Sequence, residues 1–208
     1  MATHTVKKGE HLAAIAAQYG FADTAAIWDH PDNQALKDQR KDPNVLLEGD
    51  EVAIPPAREK SETGETGRHH RIRIKRPRLM LRFVVQDGVG APIANQSFTL
   101  EVDGTMIGGE TKEDGLIEQE VPAGAKKGVL EVADTRIEFE VGHLDPVEEV
   151  SGWRARLANL GYEPGDKDDP EDAVLRSAVE EFQCDAGIGV TGDLDDATLA
   201  KLREVYGS

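Results

Sequence analysis

The chain has 208 residues, a net charge of −16 from 40 acids against 24 bases, and a single cysteine. Cys184 alone excludes an internal disulfide framework, and the acidic balance argues against nucleic acid as the main partner, because phosphate neutralisation dominates such binding. No run approaches the length of a membrane span. The start, MATHTVKKGEHLAAIAAQ, lacks the apolar stretch of a secretory signal, so a chain made in the cytoplasm and not inserted in a membrane is expected.

Repeated changes of pattern point to three small units, at 1–56, 79–142 and 150–208, joined by stretches at 57–78 and 143–149. The first unit reads strand, helices, strand. HTVKKGE is a short strand that turns at Gly9. Leu12, Ile15, Ala16 and Tyr19 then recur at i, i+3, i+4 and i+7, one face of a helix that Gly20 stops. A second helix is predicted near Thr24 to Trp28 with Thr24 as its cap, and His30-Pro31 breaks it. Asp32 is the expected cap of a third, polar helix through Arg40. NVLLEGDEVAIPP supplies a turn at Gly49 and a strand over Glu51 to Ile54.

Thr5, Val6, Lys7, Gly9, Leu12, Ile15, Ala16, Tyr19, Gly20, Leu47, Gly49, Val52, Ile54 and Pro55 stand where the lysin motif (LysM) has its signature residues. The unit therefore resembles LysM, a small fold that binds N-acetylglucosamine-containing glycans. Two departures are visible: the middle is longer than usual, and His11 replaces the small hydroxyl residue that normally opens the first helix. The resemblance implies a glycan groove with Gly9, Glu10, His11 and Leu12 on one side. Asn44, Val45, Leu46, Leu47 and Glu48 stand on the other.

Residues 57–78 are polar and then basic. Seven of the 24 bases fall in Arg68–Arg82, which holds no acid. Arg71, Arg73 and Lys75 interleave with Ile72 and Ile74 at strand period, and Pro77 demotes the run to an edge or connector. Arg71, Arg73, Lys75, Arg76 and Arg78 read either as a solvated connector or as an arm docking an acidic or strand-donating partner.

LMLRFVVQ, SFTLEVDG, LIEQEV, GVLEVA and TRIEFEV are short β-rich runs parted by Gly, Pro and Asp turns, so 79–142 is expected to be all-β. Asp103-Gly104 and Asp114-Gly115 are hairpin signals. The string resembles carboxypeptidase regulatory-like or transthyretin-like sandwiches, which serve as spacers or docking platforms.

In 150–208, three short apolar faces follow one another. They are Trp153, Leu157, Leu160 and Tyr162; then Val174, Ala178, Val179 and Phe182; then Leu194, Leu199, Leu202 and Val205. Gly161 and Gly187 fit helix ends, and Asp195 or Asp196 can cap the last helix. Leu157, Leu160, Gly161, Tyr162, Val179, Phe182, Gln183, Gly187, Ile188, Thr191, Gly192, Asp195, Thr198 and Leu202 match the peptidoglycan-binding domain-like fold appended to many cell-wall hydrolases, which this stretch resembles. The loop GDKDDPEDA departs from that pattern.

Candidate chemistry is sparse. The six histidines show no zinc-ligand spacing. Cys184 sits beside Glu180, Glu181 and Asp185, the wrong electrostatic setting for a nucleophilic thiol. The acidic loop Asp166–Asp172 fails calcium-loop spacing and reads as solvated, with Asp169 or Asp172 capping a helix. Trp28 and Trp153 lie on apolar faces and read as core before sugar platforms. No catalytic residue, metal or cofactor is expected.

The fold class expected is multidomain α+β: a LysM-like βααβ domain, a central all-β sandwich and a C-terminal three-helix domain. The function expected is non-catalytic binding of cell-wall peptidoglycan, two weak modules gaining by avidity. IWDHPDNQALKDQRKDPNVLLEGDEVAIP and the order of units are similar to LysM proteins that accompany valine-glycine-repeat spike proteins. That resemblance implies an accessory or adaptor of type VI secretion, delivered to the periplasm or extracellular space by a contractile injection system. The competing reading is a structural adaptor that binds the spike or a toxin effector and not glycan.

Overall fold

The computed structural model describes residues 2–57, 63–71 and 77–207. It is a mixed α+β chain with several antiparallel sheets and six α-helices among the described residues. Their hydrophobic cores fall into three clusters.

The N-terminal cluster is closed by a two-stranded sheet. β1 (Ala2–Thr5) pairs antiparallel with β2 (Glu51–Ile54), with Ala2 opposite Ile54 and Thr5 opposite Glu51. Between them lie α1 (Leu12–Gln18), α2 (Ala25–Trp28), a 3-10 helix (Pro31–Asn33) and α3 (Gln34–Arg40). Leu12, Ile15 and Ala16 turn one face of α1 onto Ile27, Trp28, Val52 and Ile54. The caps of the middle helices differ from those expected. Thr24 makes no capping bond; Asp23 Oδ1 instead accepts from the Ala26 amide at 3.2 Å. Asp32 lies inside the 3-10 helix, and Asn33 is the residue that joins the long insertion to the sheet. Its buried amide nitrogen donates to the Ile27 and Ala53 carbonyls, each at 2.8 Å, while its oxygen accepts from the Ala53 amide at 2.7 Å. Arg40 and Asp50, both nearly buried, form a two-pronged ion pair at 2.8 Å per contact, which fixes the end of α3 to the turn before β2.

The middle cluster joins two sheets. β3 (Arg78–Val84) pairs antiparallel with β6 (Leu116–Pro122). β4 (Ser97–Val102), β5 (Thr105–Glu110), β7 (Lys127–Val132) and β8 (Thr135–Glu140) form a second sheet in the order β5-β4-β7-β8. Phe98, Leu100 and Val102 alternate inward along β4 as a half-buried strand requires. Asp103-Gly104 is a two-residue hairpin between β4 and β5, both residues at positive φ. Asp114-Gly115 is not a hairpin between paired strands: it sits where the chain leaves β5 in one sheet for β6 in the other. β5 itself was not legible in the sequence. Gly108 and Gly109 weaken strand propensity, but a Cβ at Gly109 would fall 2.6 Å from the Phe98 ring, so the facing aromatic covers the glycine.

The C-terminal cluster is built by α4 (Val150–Asn159), α5 (Ala173–Asp185) and α6 (Asp196–Tyr206) around Leu157, Leu175, Val179, Phe182 and Leu202. Asp172 caps α5 through the Leu175 amide, and Asp195 caps α6 through the Thr198 amide at 2.8 Å. The stretch 143–149, expected as a linker, is packed: Pro146 and Val147 are buried and Val147 belongs to this core.

Candidate functional site

Two regions carry candidate binding chemistry. In the N-terminal unit, His11 opens α1 and its ring Nδ1 accepts from the Ala14 amide at 3.4 Å. Burial holds the imidazole below the ordinary histidine value, so it favours the neutral form that capping requires. The Leu12 amide donates to the Pro43 carbonyl at 3.0 Å, which sets residues 9–12 against the loop that continues through 44–48. Asp50 braces that loop by accepting from the Leu47 amide at 2.9 Å.

The side chains along these two walls differ in availability. Leu12 and Leu46 are core members and Val45 is buried, so their side chains serve packing. Gly9, Glu10 and Leu47 are half-buried, and Asn44 and Glu48 are exposed. Glu10 is already engaged, accepting from the Lys7 amide at 2.9 Å and lying 2.8 Å from His4 Nε2. Burial raises its carboxyl, but these two partners outweigh that and hold it below the usual value. Trp28 is a core residue at 8% exposure. In the basic run, Arg71 and Arg78 are exposed, while Arg73, Lys75 and Arg76 lie outside the described residues.

Three carboxylates of the acidic loop, Asp168, Asp169 and Asp172, are engaged by local partners. Arg154 Nε donates to Asp168 Oδ1 at 2.7 Å, Lys167 Nζ to Asp172 Oδ1 at 3.0 Å, and Asp169 Oδ1 accepts from the Glu171 amide at 3.0 Å. Among the described residues no group of three or more His, Cys, Asp or Glu is placed to hold a metal ion.

The second region is a pocket of about 150 Å3 in the C-terminal domain, lined by Trp153, Glu171, Leu175, Arg176, Asp193 and Leu194 among others. Trp153 comes from α4, Leu175 and Arg176 from α5, and Asp193 and Leu194 from the loop before α6. Gln183 shapes that loop from inside. Fully buried, it accepts from the Thr191 and Gly192 amides at 2.8 and 2.9 Å, and its nitrogen reaches the Asp193 carbonyl at 3.0 Å. Arg176 closes the outside, donating to the Thr191 carbonyl at 2.8 Å and to Asp193 Oδ1 at 3.3 Å. The Trp153 indole nitrogen is enclosed and has no hydrogen-bond acceptor among the described residues. The lining combines the apolar side chains of Trp153, Leu175 and Leu194 with the Arg176 guanidinium and the carboxylates of Glu171 and Asp193.

Arg156 had no signal in the sequence. It is 1% exposed, its Nη1 donates to the Asp145 and Gly152 carbonyls at 2.8 and 2.9 Å, and its guanidinium lies 5.6 Å from the Tyr206 ring centre. It seams α4 to the stretch before it and to α6.

Residues 147–202 are matched by the family model described as "Putative peptidoglycan binding domain". The match begins at the buried Val147, spans α4 and α5, and reaches Leu202 within α6. No curated protein and no solved structure matches the chain. The match supports peptidoglycan as a partner of the C-terminal module.

Proposed function

We propose that this protein is a non-catalytic peptidoglycan-binding protein that serves a type VI secretion or related contractile injection apparatus as an accessory or adaptor. The observation that carries the wall-binding part is the family match over 147–202, which includes every lining residue of the pocket between Trp153 and Arg176. Polar contacts from this pocket to a wall polymer, without bond breaking, are the mechanism. The N-terminal unit, with its LysM resemblance, adds a second weak glycan contact through Gly9–Leu12 and Asn44–Glu48, and the two act by avidity. Delivery to the periplasm or exterior is by the injection apparatus. The test is co-sedimentation of the full chain with purified sacculi, with muropeptide release followed in the same tubes. Pelleting without release is expected. No pelleting at low salt overturns the binding, and released muropeptides overturn the non-catalytic role. Secretion unchanged by loss of the contractile sheath overturns the injection role.

A second reading, an adaptor that binds a spike or toxin protein, is favoured by one observation. The wall formed by Gly9 and His11 already meets polypeptide, at Gly142 and His143. Pull-down from the native bacterium distinguishes the two: recovery of a spike or toxin component together with failure to pellet selects the adaptor.

A further inference from the structure

Gly142 and His143 lie on the N-terminal groove wall at Gly9 and His11, just before the chain enters the C-terminal core at Val147. Gly142 lies so close that a Cβ there would stand 2.4 Å from the Gly9 carbonyl oxygen and 2.9 Å from His11 Cδ2. The His143 ring covers Gly9 in turn, since a Cβ on Gly9 would fall 2.7 Å from His143 Cε1. Both glycines have positive φ, +81° and +88°, so the approach depends on two residues without side chains.

Downstream the same segment is anchored to α4. Arg156 Nη1 donates to the Asp145 carbonyl at 2.8 Å and Ser151 Oγ to Asp145 Oδ2 at 2.6 Å. Gly152 is pressed on Pro146, where a Cβ would be 1.9 Å from the Pro146 carbonyl oxygen.

We infer that the wall at Gly9 and His11 is a docking site for the chain's own Gly142 and His143, and that this docking and entry of an N-acetylglucosamine polymer exclude one another. The inference rests on the proposed glycan role of the N-terminal unit. A groove open in only about a tenth of molecules binds about tenfold more weakly than a free one. The full-length protein is thus held in a state in which only the C-terminal pocket meets the wall, and undocking adds the second contact.

The test uses full-length protein, with Gly142→Ala and His143→Ala to break docking and Gly90→Ala as the control. Gly90 has φ +81° and nothing within 4 Å of its Cβ position, so it carries the same backbone strain without the clash. Amide hydrogen exchange over 9–14 and 142–147 reads docking, and titration with the N-acetylglucosamine hexamer reads the groove. Faster exchange in both segments with affinity raised about tenfold, in either docking variant but not the control, supports the inference. Exchange unchanged in both docking variants overturns it. Faster exchange with hexamer affinity equal to the parent's overturns the competition. If the hexamer protects 9–12 and 44–48 in no form, the glycan reading of this groove falls and the competition with it, while docking stands or falls on the exchange data alone.

Discussion

The side-chain amide of Gln183 donates to Thr198 Oγ1 at 2.8 Å and so joins the last turn of α5 to the first turn of α6. Thr198 Oγ1 itself donates to the capping carboxylate of Asp195 at 2.8 Å. A continuous chain therefore runs from the wholly buried Gln183 to a helix cap at the surface. The burial is possible because the amide is surrounded by groups that satisfy it, and the pocket loop takes its shape from these bonds.

Replacing Gln183 by Ala strands the Thr191 and Gly192 amides beside a new cavity. Buried unsatisfied groups cost about 1–3 kcal/mol each, so a loss of about 2–4 kcal/mol is expected for the C-terminal domain. Urea denaturation followed by Trp153 fluorescence, in a Trp28→Phe background, measures it. Sacculus binding should weaken at temperatures where the fold survives, because the loop that carries Asp193 and Leu194 is released.

Arg176→Ala separates binding from folding. Its side chain is half exposed, with ion pairs to Glu180 and Asp193 at the surface. Exposed pairs of this kind are worth about 0–1 kcal/mol, so the melting temperature should barely move. Sacculus affinity should fall about tenfold, equivalent to about 1.4 kcal/mol. Equal binding by parent and variant in a pelleting titration would remove the pocket rim from the proposal.

The two ends of the chain should respond to opposite extremes of pH. His11 has a folded pKa below its unfolded value because it is buried. The unfolded chain then binds the proton first, and stability present above about pH 6.5 is lost as pH falls through the folded value. Glu10, also lowered on balance, adds a further loss below about pH 4.5. Tyr162 is the reverse case: burial, with Asp185 beside it, pushes its phenol up to about 12. Its stabilisation is full below about pH 10 and is lost as pH rises through about 12. Exchange-detected unfolding should show the N-terminal unit loosening first in acid and the C-terminal domain first in alkali. His11→Gln should flatten the acid limb below about pH 6.5.

Asn33→Ala should destabilise the N-terminal unit by about 2–3 kcal/mol, since the Ile27 and Ala53 carbonyls and the Ala53 amide lose a shared partner in a buried site. Asn33→Asp should do comparable harm, because a carboxylate can accept from the Ala53 amide but cannot donate to two carbonyls. Thermal melts of the two variants against the parent check this.

Local signals were legible where the physics is local. Asp172 and Asp195 cap the helices they precede, Asp103-Gly104 makes its hairpin, and the apolar spacing of α1 marks its buried face. On α5 and α6 the expected faces hold in part: Ala178, Val179, Phe182 and Leu202 are buried, but Val174 and Val205 are exposed and Leu175 takes the inner place. The likeness to peptidoglycan-binding domains was also visible in the residues of α4 to α6, and the family match covers the same stretch. The caps at Thr24 and Asp32 were misplaced: Asp23 takes the Ala26 amide, and Asp32 falls inside a 3-10 helix that His30 opens by accepting from the Asp32 amide at 3.3 Å.

By itself, then, the sequence determined the caps of α5 and α6, the Asp103-Gly104 turn and the alternation of β4, all consequences of residues within a few positions of one another, and it carried the C-terminal likeness. Tertiary structure alone decided the rest. Phe98 covering Gly109, Asn33 reaching Ala53, Arg156 buried against the Asp145 carbonyl, and Gly142 resting on Gly9 each join elements whose meeting depends on how cores close. A glycine, an asparagine or an arginine looks the same in sequence whether it faces water or a backbone carbonyl, and only the packing of its neighbours settles which.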